Sequence, residues 1–219
     1  MSPAPSPPLA RMRACKALGA PSGALSALAF GPGGFDLARA VNTVLSPRNL
    51  ILMHPDARPP RARFETTAET LDDLAASRPG AFDLIVAAGG AEEGVLSEVR
   101  ARIGALRDLL TAGGALVLDV ETLAAPDAES AFDGLLFPHL ARAGDLGDGL
   151  QARAPLPASA WRMMLIAAGL DVLAEGGRAA QTLPQSLTDM HGVRLDAYDS
   201  EELATGSMIL IAAKRGASS

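Results

Sequence analysis

Beyond residue 23 the chain alternates short apolar runs with longer stretches whose apolar residues recur every three or four positions. Short runs bounded by turn residues read as strands buried on both faces, and the three-to-four spacing reads as helix. The first run, 24–30, ends in Gly31-Pro32-Gly33-Gly34 and leads into a helical stretch over 36–45. A second, 49–53, stops at His54-Pro55-Asp56, and a weaker one, 62–67, precedes a polar helix over 69–76. Residues 82–88, Phe-Asp-Leu-Ile-Val-Ala-Ala, form a strand closed by Gly89-Gly90. Leu96, Val99, Ile103, Leu106 and Leu110 then mark one face of a helix over 96–110. Glycines at 113 and 114 end that helix, because they accept positive φ, and 115–120 is the next strand. A helix over 158–168, a strand from Leu170 and a last strand over 208–213 complete the pattern.

This order predicts an α/β fold: a seven-stranded, mostly parallel, Rossmann-like sheet with helices on both faces and an antiparallel final strand. The segment between the last two strands need not cross the sheet. Two long excursions, 121–157 and 176–207, leave the carboxyl ends of strands, where open α/β sheets bind ligands. Residues 1–22 read as a disordered Pro/Ala-rich tail, because Pro3, Pro5, Pro7 and Pro8 oppose an early amphipathic helix, and the domain proper runs over 23–216. Met12 is an alternative start.

Composition narrows the classes of function. The 219 residues fit one domain, and with 48% hydrophobic but only 4% aromatic residues the core must be built from Ala, Leu, Val and Ile. A net charge of −6 gives no general attraction to phosphate backbones or anionic membranes, so neither nucleic acid nor a membrane is an expected partner. No run is long enough to span a bilayer, and the lone Cys15 makes neither an internal disulfide nor a thiolate metal site. The cytoplasm is the expected compartment. An organelle is the alternative, since Arg11, Arg13 and Lys16 precede the first acid, Asp36, as they would in a transit peptide.

Over roughly 24–215 the chain resembles the class I S-adenosylmethionine-dependent methyltransferases. The resemblance is carried by Phe82-Asp83-Leu84-Ile85-Val86, by Leu109-Leu110-Thr111-Ala112-Gly113-Gly114 before a strand, by Ala167-Ala168-Gly169-Leu170, and by the closing Met208-Ile209-Leu210-Ile211-Ala212-Ala213-Lys214. It implies S-adenosylmethionine as cofactor, held by the turn at Gly31 and Gly33, by the tip of the second strand at His54 or Asp56, by Thr67 after the third, and by Ala88 at the tip of the fourth. Where the family carries acids, this chain has Ala29 before the glycine turn, His54 at the second strand's tip and Thr67 after the third. The third glycine position of the turn is Phe35.

Methyl transfer from a sulfonium needs alignment above all, with a base only where the acceptor must lose a proton. His139 and His191, one in each excursion, are the candidate bases, since imidazole titrates near neutrality; a surface role is the plainer account of each. Asp119 and Glu121 end a strand and face either the pocket or solvent. Trp161 and Tyr198 are candidate pocket walls, although the helical neighbours Met164 and Leu165 favour a core position for Trp161. The expected activity is methyl transfer to a small-molecule acceptor. The alternative is a non-catalytic relative that binds a protein partner, or a second copy of itself, as an assembly or scaffold subunit.

Overall fold

The computed structural model describes residues 7–54, 64–91, 94, 96–122, 156, 158–179 and 205–216. In chain order these form α1 (Pro7–Ala17), β1 (Ser26–Phe30), α2 (Gly34–Val44), β2 (Asn49–Met53), β3 (Glu65–Thr67), α3 (Leu71–Ser77) and β4 (Phe82–Ala88). They are followed by α4 (Leu96–Leu109), β5 (Leu110–Glu121), α5 (Ala158–Ala167), β6 (Leu170–Ala179) and β7 (Thr205–Lys214). The strands make one seven-stranded sheet in the order β3-β2-β1-β4-β5-β7-β6. β1 to β5 are mutually parallel, and β7 is antiparallel to both β5 and β6. The predicted sheet, with its antiparallel last strand, is therefore the observed one.

Alternation along the strands sorts the core into two layers. Leu28, Phe30, Ile85, Ala87, Leu116 and Leu118 face α3, α4 and α5, where Ile103, Leu106, Trp161 and Leu165 cover them. Ala27, Ala29, Leu84, Val86, Ala88, Ala115 and Val117 face α1 and α2, which contribute Met12, Cys15, Leu37 and Val41. Small side chains on this second layer let the helices lie close to the sheet, which is how a core with few aromatic residues is filled.

The acid of the Phe-Asp-Leu-Ile-Val run has a structural role at the amino end of the sheet. Asp83 accepts hydrogen bonds from the backbone N–H and hydroxyl of Ser26 at 3.1 and 3.3 Å, and from the Thr111 hydroxyl at 3.2 Å, so one carboxylate ties β4 to both neighbours. Asp83→Ala is expected to cost about 2–3 kcal/mol, because it leaves the Ser26 N–H and the Thr111 hydroxyl without their acceptor, while the Ser26 hydroxyl keeps Ala81 O at 2.7 Å. Urea denaturation measures this; a loss below about 0.5 kcal/mol, the scatter of an ordinary surface substitution, would remove the role.

Three expectations change. The tail predicted over 1–22 contains α1, with Met12 and Cys15 fully buried. Pro7 and Pro8 occupy its first turn, where the missing N–H groups have no helical acceptor to lose, so they start the helix instead of blocking it. Gly19, at φ +100°, stops it: Gly19 N–H donates to Lys16 O and Ala20 N–H to Cys15 O, both at 3.0 Å. The second change concerns the excursion predicted at 176–207, which loses both ends to the sheet, since Gly176 pairs with Ile209 and Gly177 with Met208. These glycines serve close packing: a methyl group on Gly176 would stand 2.8 Å from the Leu18 side chain. Third, β5 begins at Leu110, and the Thr111–Gly114 stretch is absorbed as an irregularity in its pairing with β4 between Phe82 and Leu84. The excursion predicted at 121–157 lies outside the described residues except at Glu121, Thr122 and Leu156; a parallel bridge joins the last two.

Candidate functional site

The strand order reverses direction between β1 and β4, so the connections leaving their carboxyl ends diverge to opposite faces and open a crevice there. A cavity of about 740 Å³ lies at this point. Phe30, Gly31 and Pro32 from the end of β1, Met53 from β2 and Gly90 after β4 form its strand side. Leu71 and Ala101 add apolar wall from α3 and α4, and Thr70, Asp72, Glu98 and Arg102 supply polar groups. Arg102 is fixed in part by donating to Ala91 O at 2.9 Å, and Thr70 caps α3 by accepting from Asp73 N–H at 3.2 Å. Size and mixed lining suit a small molecule with an apolar ring system and a few polar groups. A second cavity, of about 600 Å³, runs between α4 and α5 against Ile103, Met163 and Met164, and no residue of the β1 or β4 turns lines it.

The turn after β1 has a specific reason for glycine at its first position. Gly31 has φ +139°, and a methyl group there would fall inside contact distance of the Ala88 carbonyl oxygen and 2.9 Å from its carbon. Gly33 differs: it caps α2 at φ −69°, and a methyl group would meet Leu37 alone, at 3.1 Å from its Cβ and 3.8 Å from its backbone nitrogen. Together with Gly34, whose N–H donates to Gly31 O at 3.1 Å, these residues bring backbone to the mouth of the cavity.

The sequence-predicted residues separate accordingly. Gly31 is in the cavity wall, and Ala88, 6% exposed, sits directly behind it. His54 follows β2 on the α2 side, its ring 4.8 Å from that of Phe35 and its backbone N–H donating to Thr67 O at 2.9 Å. Met53, not His54, is the β2 residue lining the cavity. The Thr67 hydroxyl donates to Glu69 at 3.0 Å, and neither residue lines the cavity. Trp161 is fully buried in the core layer under α5, which its helical neighbours had indicated, so it is not a pocket wall. Asp56, His139, His191 and Tyr198 lie outside the described residues.

Sequence reasoning missed Arg11, Glu98 and Arg102, which carried no recognisable motif, and it left Asp119 undecided between pocket and solvent. Asp119 is 5% exposed on the α1 side of β5, and its carboxylate forms an ion pair with Arg11 of α1 at 3.4 Å. Ala88 is its partner in the sheet, and its carbonyl accepts from Gly89 N–H at 2.8 Å. Among the described residues no cluster of three or more His, Cys, Asp or Glu side chains is arranged to hold a metal ion, and no helix is long and apolar enough to cross a membrane.

No protein-family model matches the chain, and no curated protein matches it by sequence. Solved structures do match by fold. A putative methyltransferase from Bacillus halodurans superposes with a TM-score of 0.59 at 14% identity, covering 94% of this chain and 98% of that one. The Burkholderia thailandensis 1,6-didemethyltoxoflavin-N1-methyltransferase, solved with 1,6-didemethyltoxoflavin and S-adenosylhomocysteine, gives 0.55 at 14% identity over 96% and 77%. The [4+2]-cyclase SpnF gives 0.61 at 17% identity over 95% and 81%. The chain thus has the Rossmann-like fold of the class I S-adenosylmethionine-dependent methyltransferases, which also serves a protein named for a different reaction.

Proposed function

We propose that this protein binds S-adenosylmethionine at the β1/β4 crevice and transfers its methyl group to a small-molecule acceptor. The observation that supports this reading best is the cavity itself: a glycine turn, two strand tips and an apolar wall meet at the fold's switch point, with room for an adenosyl group. Phe30, Met53, Leu71 and Ala101 offer apolar surface for a purine ring, and the side-chain-free turn at Gly31 gives the amino-acid end close access to backbone. Bound S-adenosylmethionine would supply an electrophilic methyl group on a sulfonium. The protein's own part is to orient the donor and to exclude water from the crevice between α3 and α4. His139 and His191 are the proposed bases for an acceptor that must lose a proton.

The second reading is a non-catalytic protein that uses this fold to bind a partner. It is favoured by Ala29, His54 and Thr67, which put no carboxylate where the resembling family has its anchoring acids. Thermal denaturation with S-adenosylhomocysteine separates the two. At a ligand concentration of one hundred times Kd, binding stabilises by about 2.7 kcal/mol, a rise in Tm of about 5–10 °C for a chain of this size. No shift at millimolar ligand, with calorimetry equally silent, overturns the methyl-donor reading.

A further inference from the structure

We infer that the Arg11–Asp119 ion pair is a clamp for a zwitterionic amino-acid group lying across the tip of β4. The inference rests on the methyl-donor reading and goes beyond it by assigning the donor's amino-acid end to two residues.

Three observations converge on it. The first is position. β1 and β4 are in register through Phe30 and Ala87, so the next row places Gly31 beside Ala88, and Ala88 is in turn the sheet partner of Asp119. Gly31, Ala88 and Asp119 therefore form one row along the carboxyl edge, with neighbours about 4.8 Å apart across the strands. An amino-acid group entering over the glycine turn and resting on Ala88 has Asp119 within one strand's width. The second is facing. Ala115 and Val117 of β5 pack on the α1/α2 layer, and Asp119, two residues further on, points to that same side. The third is the pairing. Asp119 is buried while the Arg11 side chain remains 38% exposed, so the sheet holds the acid fixed and the base faces outward. α1 is firmly seated: Met12 and Cys15 are fully buried, and Lys16 donates to Val44 O at the end of α2 at 3.2 Å.

The chemistry follows from the two charges. An α-amino acid carries an ammonium and a carboxylate a few ångströms apart, and an adjacent carboxylate and guanidinium meet both at once. Asp119 accepts from the ammonium, and the planar guanidinium of Arg11 donates two parallel N–H groups to the carboxylate. The acid that the resembling family places at the end of β1 is Ala29 here, so the anchoring charge would come from β5 and α1 instead.

The test uses the full chain and three probes: S-adenosylmethionine, S-adenosylhomocysteine and 5′-methylthioadenosine, which keeps the adenosyl group but has no amino-acid end. Arg11→Met preserves the aliphatic stem on α1, and Asp119→Asn preserves size near the end of β5. Each is expected to weaken calorimetric binding of the first two probes by about 10- to 100-fold, the loss of a charge-assisted hydrogen bond, and to leave methylthioadenosine within about twofold. Arg11→Lys, which keeps the charge without the planar fork and does not threaten the fold, is expected to fall between wild type and Arg11→Met. Affinities unchanged in the variants, or all three probes weakened equally, would overturn the clamp while leaving the donor reading standing. Wild-type protein that binds none of the three would overturn both.

Discussion

Gly31→Ala is expected to cost the fold at least about 3 kcal/mol, lowering Tm by about 6–12 °C, with loss of any ligand affinity at the crevice. Two costs combine. The backbone at φ +139° lies where L side chains rarely settle, and the added methyl group would be driven into the Ala88 carbonyl, which belongs to β4 at the centre of the sheet. The neighbour can yield only by separating β1 from β4 at their carboxyl ends, and that separation deforms the cavity wall formed by Phe30, Gly31 and Gly90. Gly33→Ala is the matched control, since its φ of −69° suits alanine and its new methyl group meets Leu37 at 3.1 Å or more instead of a strand carbonyl; a loss below about 1 kcal/mol is expected. Urea denaturation of the two variants decides the point. Equal losses would mean that the special backbone at 31 is not what the turn depends on.

The second large effect is expected at Trp161. Its side chain is fully buried among Leu165, Met164 and the α4 face of the sheet, so Trp161→Ala should cost about 3–5 kcal/mol through lost burial and the cavity left behind. Among the described residues the indole Nε1 has no hydrogen-bond acceptor. Trp161→Phe therefore removes a costly buried donor as well as some volume, and is expected to lose only about 1–2 kcal/mol. Thermal or urea unfolding of the pair gives the difference directly. A phenylalanine variant as unstable as the alanine one would show that the indole N–H is satisfied and matters.

Much of the architecture was legible in the chain because it is written locally. β2 and β4 are continuous apolar runs closed by turn residues, and both have the predicted bounds, 49–53 and 82–88. The helix at 96–109 shows its buried face through Val99, Ile103 and Leu106. From such elements in this order, a parallel sheet with crossovers is close to the only unknotted way to bury both faces of the strands. The glycine turn was legible too, since a strand ending in Gly-Pro-Gly-Gly before a helix can only be a tight turn at the sheet's edge.

What the sequence by itself determined, then, is the set of strands, their buried character, the crossover helices and the edge of the sheet where a ligand would lie. The tertiary structure decided the rest, wherever the deciding partner is distant in the chain. Pro7 and Pro8 oppose a helix when considered alone, yet α1 forms because the layer beneath it accepts Met12 and Cys15 and because helix starts tolerate proline. Gly176 and Gly177 open the predicted excursion in the sequence, yet β7 supplies their ladder partners and Leu18 occupies the space a side chain at 176 would need. Asp119 was ambiguous as a strand-end acid, and it became a buried anion only when α1 folded across the sheet and set Arg11 beside it. Hydrophobic periodicity reports which side of an element is buried. It carries no information about which charged side chain from another element will meet it there, and that choice shapes the candidate site.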